Sequence, residues 1–121
     1  MHTKPIYVDF DGVIHRYDSK YTHISKINDG PVDGAIEWLN GLIADGRFKV
    51  HLFTTRNDKP EGTEAVKVWM AKHGIQGIDK ITFVEKKPNY FMVIDDRAFG
   101  FEGKFPTFDY IDGFKAWNKR K

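Results

Sequence analysis

The sequence predicts an α/β domain, a three-layer α/β/α architecture on a mostly parallel, doubly wound sheet. Two observations carry that prediction. Short apolar runs alternate with segments of helical period along the chain, the pattern of strands joined by helical crossovers. Two of the apolar runs also stop abruptly on carboxylates: Ile6-Tyr7-Val8-Asp9-Phe10-Asp11-Gly12 and Phe91-Met92-Val93-Ile94-Asp95-Asp96-Arg97. A buried strand of a parallel sheet reads as a continuous apolar run. In open α/β sheets, ligands bind beyond the carboxyl ends of such strands.

Strand one is Ile6 to Phe10. A polar segment follows, about Val13 to Pro31, with scattered Tyr17, Tyr21, Ile24 and Ile27. It is longer than an ordinary connection, and long structured loops are often functional. It reads as a flap over the strand ends, with a hairpin as one form available to it. Helix one starts at Asp33 as N-cap and carries an apolar stripe of Ala35, Ile36, Leu39, Leu42 and Ile43 at helical spacing; Gly46 closes it. Trp38 falls off that stripe. Strand two runs from Phe48 to Thr54. Helix two places Val66, Trp69, Met70 and His73 on one face and stops at Gly74. Strand three is about Ile81 to Val84 and strand four Tyr90 to Ile94, with a short helical turn after the acid pair. Phe105 to Phe108 reads as an edge strand limited by Pro106. A last helix packs through Tyr110, Ile111, Phe114 and Trp117, and right-handed crossovers put helices on both sheet faces.

At 121 residues the chain is one domain, residues 1–121, with 40% hydrophobic and 15% aromatic residues to build a core. It has no cysteine, hence no disulfide framework, thiolate metal site or thiol nucleophile; this suits a reducing, cytoplasmic compartment. Met1-His2-Thr3-Lys4-Pro5 leads straight into a strand and lacks the apolar stretch and cleavage site of a signal peptide. No apolar run approaches a membrane span, so no membrane partner is expected. A net charge of +2 is mildly basic and fits anionic substrates. The basic stretch from Lys115 to Lys121 reads as a solvated helix end rather than a nucleic-acid patch.

Two strands ending in acid pairs gather up to four carboxylates around one point. That much like charge calls for a cation. Hard oxygen donors favour Mg²⁺, which needs few protein carboxylates and keeps several waters. A phosphate-ester hydrolase needs a nucleophile, a proton donor for the leaving oxygen, a metal, and cationic or hydroxyl donors for the phosphoryl oxygens. Asp9 and Asp11 lie two apart, so both side chains face one way on an extended strand, and Gly12 permits a sharp turn after them. One carboxylate can attack phosphorus while the other handles the proton. Leu52-Phe53-Thr54-Thr55-Arg56 offers hydroxyls and a guanidinium at the same edge, and Lys86 and Lys87 follow strand three. His15 and Arg16 open the flap, within reach of a substrate. Each residue also has a plain structural reading. Strand-end acids cap helices, Thr is common at strand ends, and Arg56 and Arg97 can be surface ion-pair partners. His51 and His73 read as scaffold, Trp69 and Trp117 as core. No histidine cluster has metal-ligand spacing.

The order of these motifs resembles the haloacid dehalogenase (HAD) superfamily of phosphotransferases. The match consists of Asp9-Phe10-Asp11-Gly12, then Thr54, then Lys87, then Asp95-Asp96, in family order over about residues 6–97. The resemblance implies a Rossmann-like fold and a role for each position. Asp9 would be the nucleophile, forming an aspartyl-phosphate. Asp11 would be general acid and then base, with its backbone carbonyl on Mg²⁺. Thr54 would bind a phosphoryl oxygen, and the motif lysine would stabilise the phosphate. Lys87, directly before Pro88, fits the pattern better than Lys86. Asp95 would be a metal ligand and Asp96 a second or water-mediated one. Thr54-Thr55-Arg56 and Asp95-Asp96-Arg97 further resemble the 3′-phosphatase part of polynucleotide kinase–phosphatases, in which an arginine two residues after the motif hydroxyl helps hold the phosphate. DFDGVIH, PVDGAIEWL and IDDRAFGFEGKFP resemble small stand-alone HAD proteins of bacteria and bacteriophages. The kinase half is absent, since no GxxxxGK[ST] occurs.

HAD enzymes usually insert a cap after the first motif or between the second and third. Gly12 to Val50 holds only the flap, helix one and strand two; Arg56 to Glu85 holds only helix two and strand three. The site is therefore expected to lack a cap and to stay open, as suits a large substrate. The expected activity is Mg²⁺-dependent hydrolysis of a phosphomonoester, with a nucleotide or nucleic-acid 3′-phosphate as preferred substrate. A nucleotidase or other small-molecule phosphatase, and a phosphate- or metal-binding module without turnover, are the alternatives. A response-regulator receiver domain also uses acids, Thr and Lys around Mg²⁺, but its phosphorylated Asp lies on a middle strand and the DxDG start does not fit. Substrate and oligomeric state lie beyond the sequence.

Overall fold

The computed structural model describes residues 3–19, 21–85, 91–100, 102, 104, 105 and 107–119. The motif lysines Lys86 and Lys87 and the first residue of the expected strand four, Tyr90, lie outside these, as does Pro106. The fold is mixed α/β, and it is compatible with a Rossmann-like arrangement. Four strands, β1 (Lys4–Asp9), β2 (Phe48–Phe53), β3 (Thr82–Val84) and β4 (Met92–Ile94), form one sheet in the order β3-β2-β1-β4. Every pairing is parallel, with Val8 opposite Leu52 on one side and Ile94 on the other. Among the described residues the α-helices are α1 (Ala35–Ala44), α2 (Pro60–Lys72) and α3 (Phe108–Asp112).

The core follows from strand alternation. Ile6 and Val8 share a sheet face with their register partners Val50 and Leu52, and all four are buried. Ala35 and Leu39 of α1 and Val66, Trp69 and Met70 of α2 join the same cluster. The i, i+4 spacing of Ala35 and Leu39 sets the buried stripe of α1. On the opposite sheet face Tyr7 stacks on its register partner His51, with centroids 4.5 Å apart and planes 3° from parallel. Burial, with Lys49 nearby, holds the His51 imidazole below its usual pKa, as befits a scaffold residue.

Several expectations are corrected. Helix α1 is capped by Gly34 at φ 81°, not by Asp33, and no side chain caps it. Residues 13–31 form no hairpin among the described residues; only isolated bridges pair His15 with Asp11 and Pro31. The segment near Phe108 is not an edge strand: the Thr107 hydroxyl accepts the Tyr110 N–H and starts α3 there. The last helix is broken rather than continuous. It stops at Gly113, and a 3₁₀ turn follows at Trp117–Lys119. Tyr110 and Ile111 stay more than half exposed, and Trp117 is 44% exposed, so none of them forms core. No helix among the described residues is long and apolar enough to cross a membrane.

The long loop is pinned from below. The Trp69 indole N–H donates to the Asp29 carbonyl at 3.0 Å, and its ring meets Phe10 edge-on at 5.1 Å. Gly62, in the first turn of α2, is the contact that lets this layer close. A Cβ there would collide with the Arg56 carbonyl oxygen and come within 2.9 Å of Ile24 Cγ1. Because a backbone carbonyl cannot swing away as a side chain does, Gly62→Ala is expected to lower unfolding stability by about 1–3 kcal/mol. Urea denaturation checks this; a change below about 0.5 kcal/mol, the ordinary surface value, would contradict the packing.

Candidate functional site

Sheet order places the site. Going from β1 through β2 to β3 the chain winds one way, then returns to lay β4 on the other side of β1. The crevice between the carboxyl ends of β1 and β4 is the switch point of the sheet, where open α/β folds bind ligands. Asp9 is the last residue of β1; Asp95 and Asp96 follow β4 directly. Carboxylate oxygens of the three lie within 4.8 Å of one another. The register that sets Val8 beside Ile94 brings Asp9 level with Asp95.

Crowding perturbs Asp9 strongly. Burial first, then a hydrogen bond with Asp96 and the charges of Asp95 and Asp96, push its carboxyl up to about 9. The Phe10 N–H, donated to Asp9 Oδ1 at 2.9 Å, pulls the other way. Two carboxyls sharing a hydrogen bond need a proton between them or a cation beside them. Gly12 allows the close approach. Its φ of 89° suits glycine, and a Cβ there would collide with the Asp96 carboxylate. The first and last motifs are thus fitted against each other across the switch point. Asp95 Oδ1 accepts the Arg97 N–H at 2.8 Å, which shapes the turn after the pair.

Asp11 is not part of that triad. Its Oδ1 lies 2.8 Å from His15 Nδ1, and its Oδ2 accepts Arg56 Nε–H at 2.9 Å. The histidine tautomer follows from its other nitrogen. The Asp29 backbone N–H can only donate, so Nε2, 3.1 Å away, accepts, and the ring proton sits on Nδ1, donated to Asp11. His15 is 1% exposed and is used up in this bridge, so it does not face a substrate as the sequence suggested.

Arg56 is also 1% exposed. Besides Asp11 it donates through Nη1 to the carbonyls of His23, Ile24 and Lys26, at 3.2, 2.8 and 3.1 Å. Its guanidinium lies 5.2 Å from the Tyr21 ring centroid. The expected phosphate ligand is therefore a latch, joining the flap to Asp11. The sequence pattern showed a cation at the right strand end but not what would surround it. Thr54, at the carboxyl end of β2, is buried; its Oγ accepts the Arg56 N–H at 3.2 Å and keeps its own O–H to donate. Thr55 is exposed beside it, and so is Arg97. The Arg97 guanidinium has no hydrogen-bond or ion-pair partner among the described residues.

One contact lay beyond sequence reasoning. The Trp117 indole N–H donates to the Gly12 carbonyl at 2.7 Å, and Asn118 Nδ2 to the Arg16 carbonyl at 3.0 Å. The C-terminal turn thus braces the loop that carries Asp11. Partners 105 residues apart leave no local pattern to read.

No family model, curated protein or solved structure matches the chain.

Two outcomes are expected. Arg56→Lys removes the fork that serves a carboxylate and three carbonyls, and a lysine ammonium cannot reproduce it. Stability should fall by about 1–3 kcal/mol in urea unfolding; wild-type stability would contradict the latch. Asp9 gives a pH-dependent outcome. Its pKa is 3.8 in the reference state and about 9 in the fold. Between those values the folded chain holds a proton that the unfolded chain releases, so stability falls as pH rises through that window. Asp9→Asn cannot ionise and escapes the loss. In EDTA at pH 8 it should melt about 4 °C or more above wild type, with the gap closing near pH 4. A variant that melts at or below wild type at pH 8 would contradict the assigned repulsion.

Proposed function

We propose that this chain is a Mg²⁺-dependent phosphomonoester hydrolase of the HAD type, a capless three-layer α/β/α domain working through an aspartyl-phosphate. The preferred substrate is a nucleotide or nucleic-acid 3′-phosphate. The observation that carries the reading is the meeting of Asp9, Asp95 and Asp96 at the switch point between β1 and β4. The donor set is all carboxylate oxygen, and burial together with Asp96 and Asp95 raises Asp9, so it fits a small hard cation. Bound there by Asp9 and Asp95, with Asp96 behind, Mg²⁺ would neutralise phosphoryl charge. The cysteine-free composition suits the cytoplasm.

The protein's own groups then divide the work. An Asp9 carboxylate oxygen attacks phosphorus, forming the Asp9–phosphate bond as the ester P–O bond breaks. Asp11, in the general-acid role the motif resemblance implies, gives a proton to the leaving oxygen. In the second half Asp11 takes a proton from water, which attacks phosphorus and releases inorganic phosphate and free Asp9. Asp11 accepts hydrogen bonds from Arg56 and His15, as its carboxylate does after giving up a proton. Arg56 and His15 are thus positioning residues for Asp11. The Thr54 O–H and the motif lysine, Lys87 with Lys86 beside it, would donate to phosphoryl oxygens.

The test is phosphate release, with and without Mg²⁺, from a 3′-phosphorylated oligonucleotide, the matching mononucleotide and a sugar phosphate. Wild type should turn over the first two only with the metal. Asp9→Asn should lose at least about a thousandfold, as loss of a covalent nucleophile does. Asp95→Ala should need far more Mg²⁺, whereas Trp69→Phe should not. Turnover by Asp9→Asn near wild type would sink the covalent mechanism. Mg²⁺ binding with no turnover of any ester would favour the non-catalytic module.

A further inference from the structure

A cavity of about 230 Å³ is lined by Arg97, Ala98, Phe99, Tyr110, Ile111 and Phe114. The Phe99 and Tyr110 rings meet edge-on, with centroids 5.8 Å apart and planes at 68°, and form two walls of a notch. Both are about half exposed, at 47% and 51%. Arg97 follows Asp96 in the chain, and its own N–H is held by Asp95. The mouth of the cavity and the proposed phosphoryl site are therefore carried on consecutive residues.

We infer that this notch is a nucleobase platform, and that the substrate of the site is a nucleotide or a nucleic-acid end rather than a sugar phosphate. The inference rests on the hydrolase reading for its phosphoryl half. Three features select the occupant. Exposed aromatic faces stack planar rings, and every base has a π-face. Among the described residues the only charged one lining the cavity is a cation, Arg97, which favours an anionic ligand over a cationic one. The volume is below the roughly 300–1,000 Å³ of pockets that enclose a whole ligand, so it suits a base with its sugar and phosphate reaching outward to the carboxylates. The geometry also explains why aromatic residues stay exposed on a helix, α3, that adds nothing to the core.

The experiment measures binding and hydrolysis separately. Calorimetry follows deoxyadenosine 3′-phosphate, a short 3′-phosphorylated oligonucleotide, and the abasic deoxyribose 3-phosphate. Each is titrated with Mg²⁺ into wild type, Phe99→Ala, Tyr110→Ala, Tyr110→Phe and a control, Phe108→Ala, whose ring is 88% exposed and outside the notch. Wild type should bind the nucleotide about tenfold more tightly than the abasic ester. Tyr110→Ala and Phe99→Ala should erase that preference while leaving abasic binding unchanged; Tyr110→Phe and Phe108→Ala should keep it. An oligonucleotide bound more tightly than the mononucleotide would assign the site to a polymer end, and equal binding to a nucleotide, both within the proposal. Equal wild-type affinity for nucleotide and abasic ester, or no binding of either, would overturn the platform. So would a Tyr110→Ala loss shared by both ligands. Hydrolysis of the same compounds separates the two claims. Tyr110-dependent binding without turnover would refute the hydrolase and keep the platform, whereas equal turnover of nucleotide and abasic ester would keep the hydrolase and refute the platform.

Discussion

Like charge held at one point is the constraint around which this structure is arranged. Asp9, Asp95 and Asp96 are delivered to one point by two hydrogen-bonded parallel strands, with carboxylate oxygens within 4.8 Å of one another. Gly12 removes the one atom that would keep Asp96 away. The fold thereby gathers carboxylates that folding alone does not favour, at the sheet switch point where open α/β folds bind ligands. Without a cation, a proton held near Asp9 is the available relief, and the raised Asp9 carboxyl expresses it.

A second buried charge solves a different problem. Arg56 is covered by the flap, and its guanidinium donates through Nε to one carboxylate and through Nη1 to three backbone carbonyls. A buried charge with full hydrogen-bonding is tolerable; the same charge with partners removed is not. The loop from 13 to 31 has no ladder of its own among the described residues, so these bonds, with the Trp69 indole and the His15 bridge, do the work a hairpin would have done. Loop order and Asp11 position are consequently tied together: a change that frees the loop also frees the carboxylate proposed to move the proton.

The parallel sheet and the acid triad were legible in the sequence because both are local signals. Continuous apolar runs ending on Asp mark the strands and their carboxyl ends without any tertiary knowledge, but not their burial: β1 is buried at Ile6, Tyr7 and Val8, whereas Phe91 and Met92 of the second run are more than half exposed. The stripe of Ala35 and Leu39 and the face of Val66, Trp69 and Met70 are likewise periodic, and both reached the core. The N-cap of α1 was misplaced by one residue because Asp33 is a good cap by type, while the left-handed turn at Gly34 depends on the path of the preceding loop. Arg56 showed its charge but not its burial, since its acceptors are backbone carbonyls of a loop about 30 residues away in sequence. The C-terminal region misled most. Tyr110, Ile111 and Trp117 have helical spacing, yet Gly113 interrupts the helix, and the rings line a surface notch or brace Gly12 instead of entering the core.

The central claim is that the three strand-end carboxylates form a divalent-cation site. Its most direct test is a crystal of the protein grown with Mn²⁺ as an oxygen-seeking stand-in for Mg²⁺, with the metal located by anomalous scattering. The account predicts one strong peak between Asp9 and Asp95, with Asp96 beside it. A peak elsewhere, such as at the exposed acids of α3, or none between Asp9 and Asp95 at saturating Mn²⁺, would contradict it.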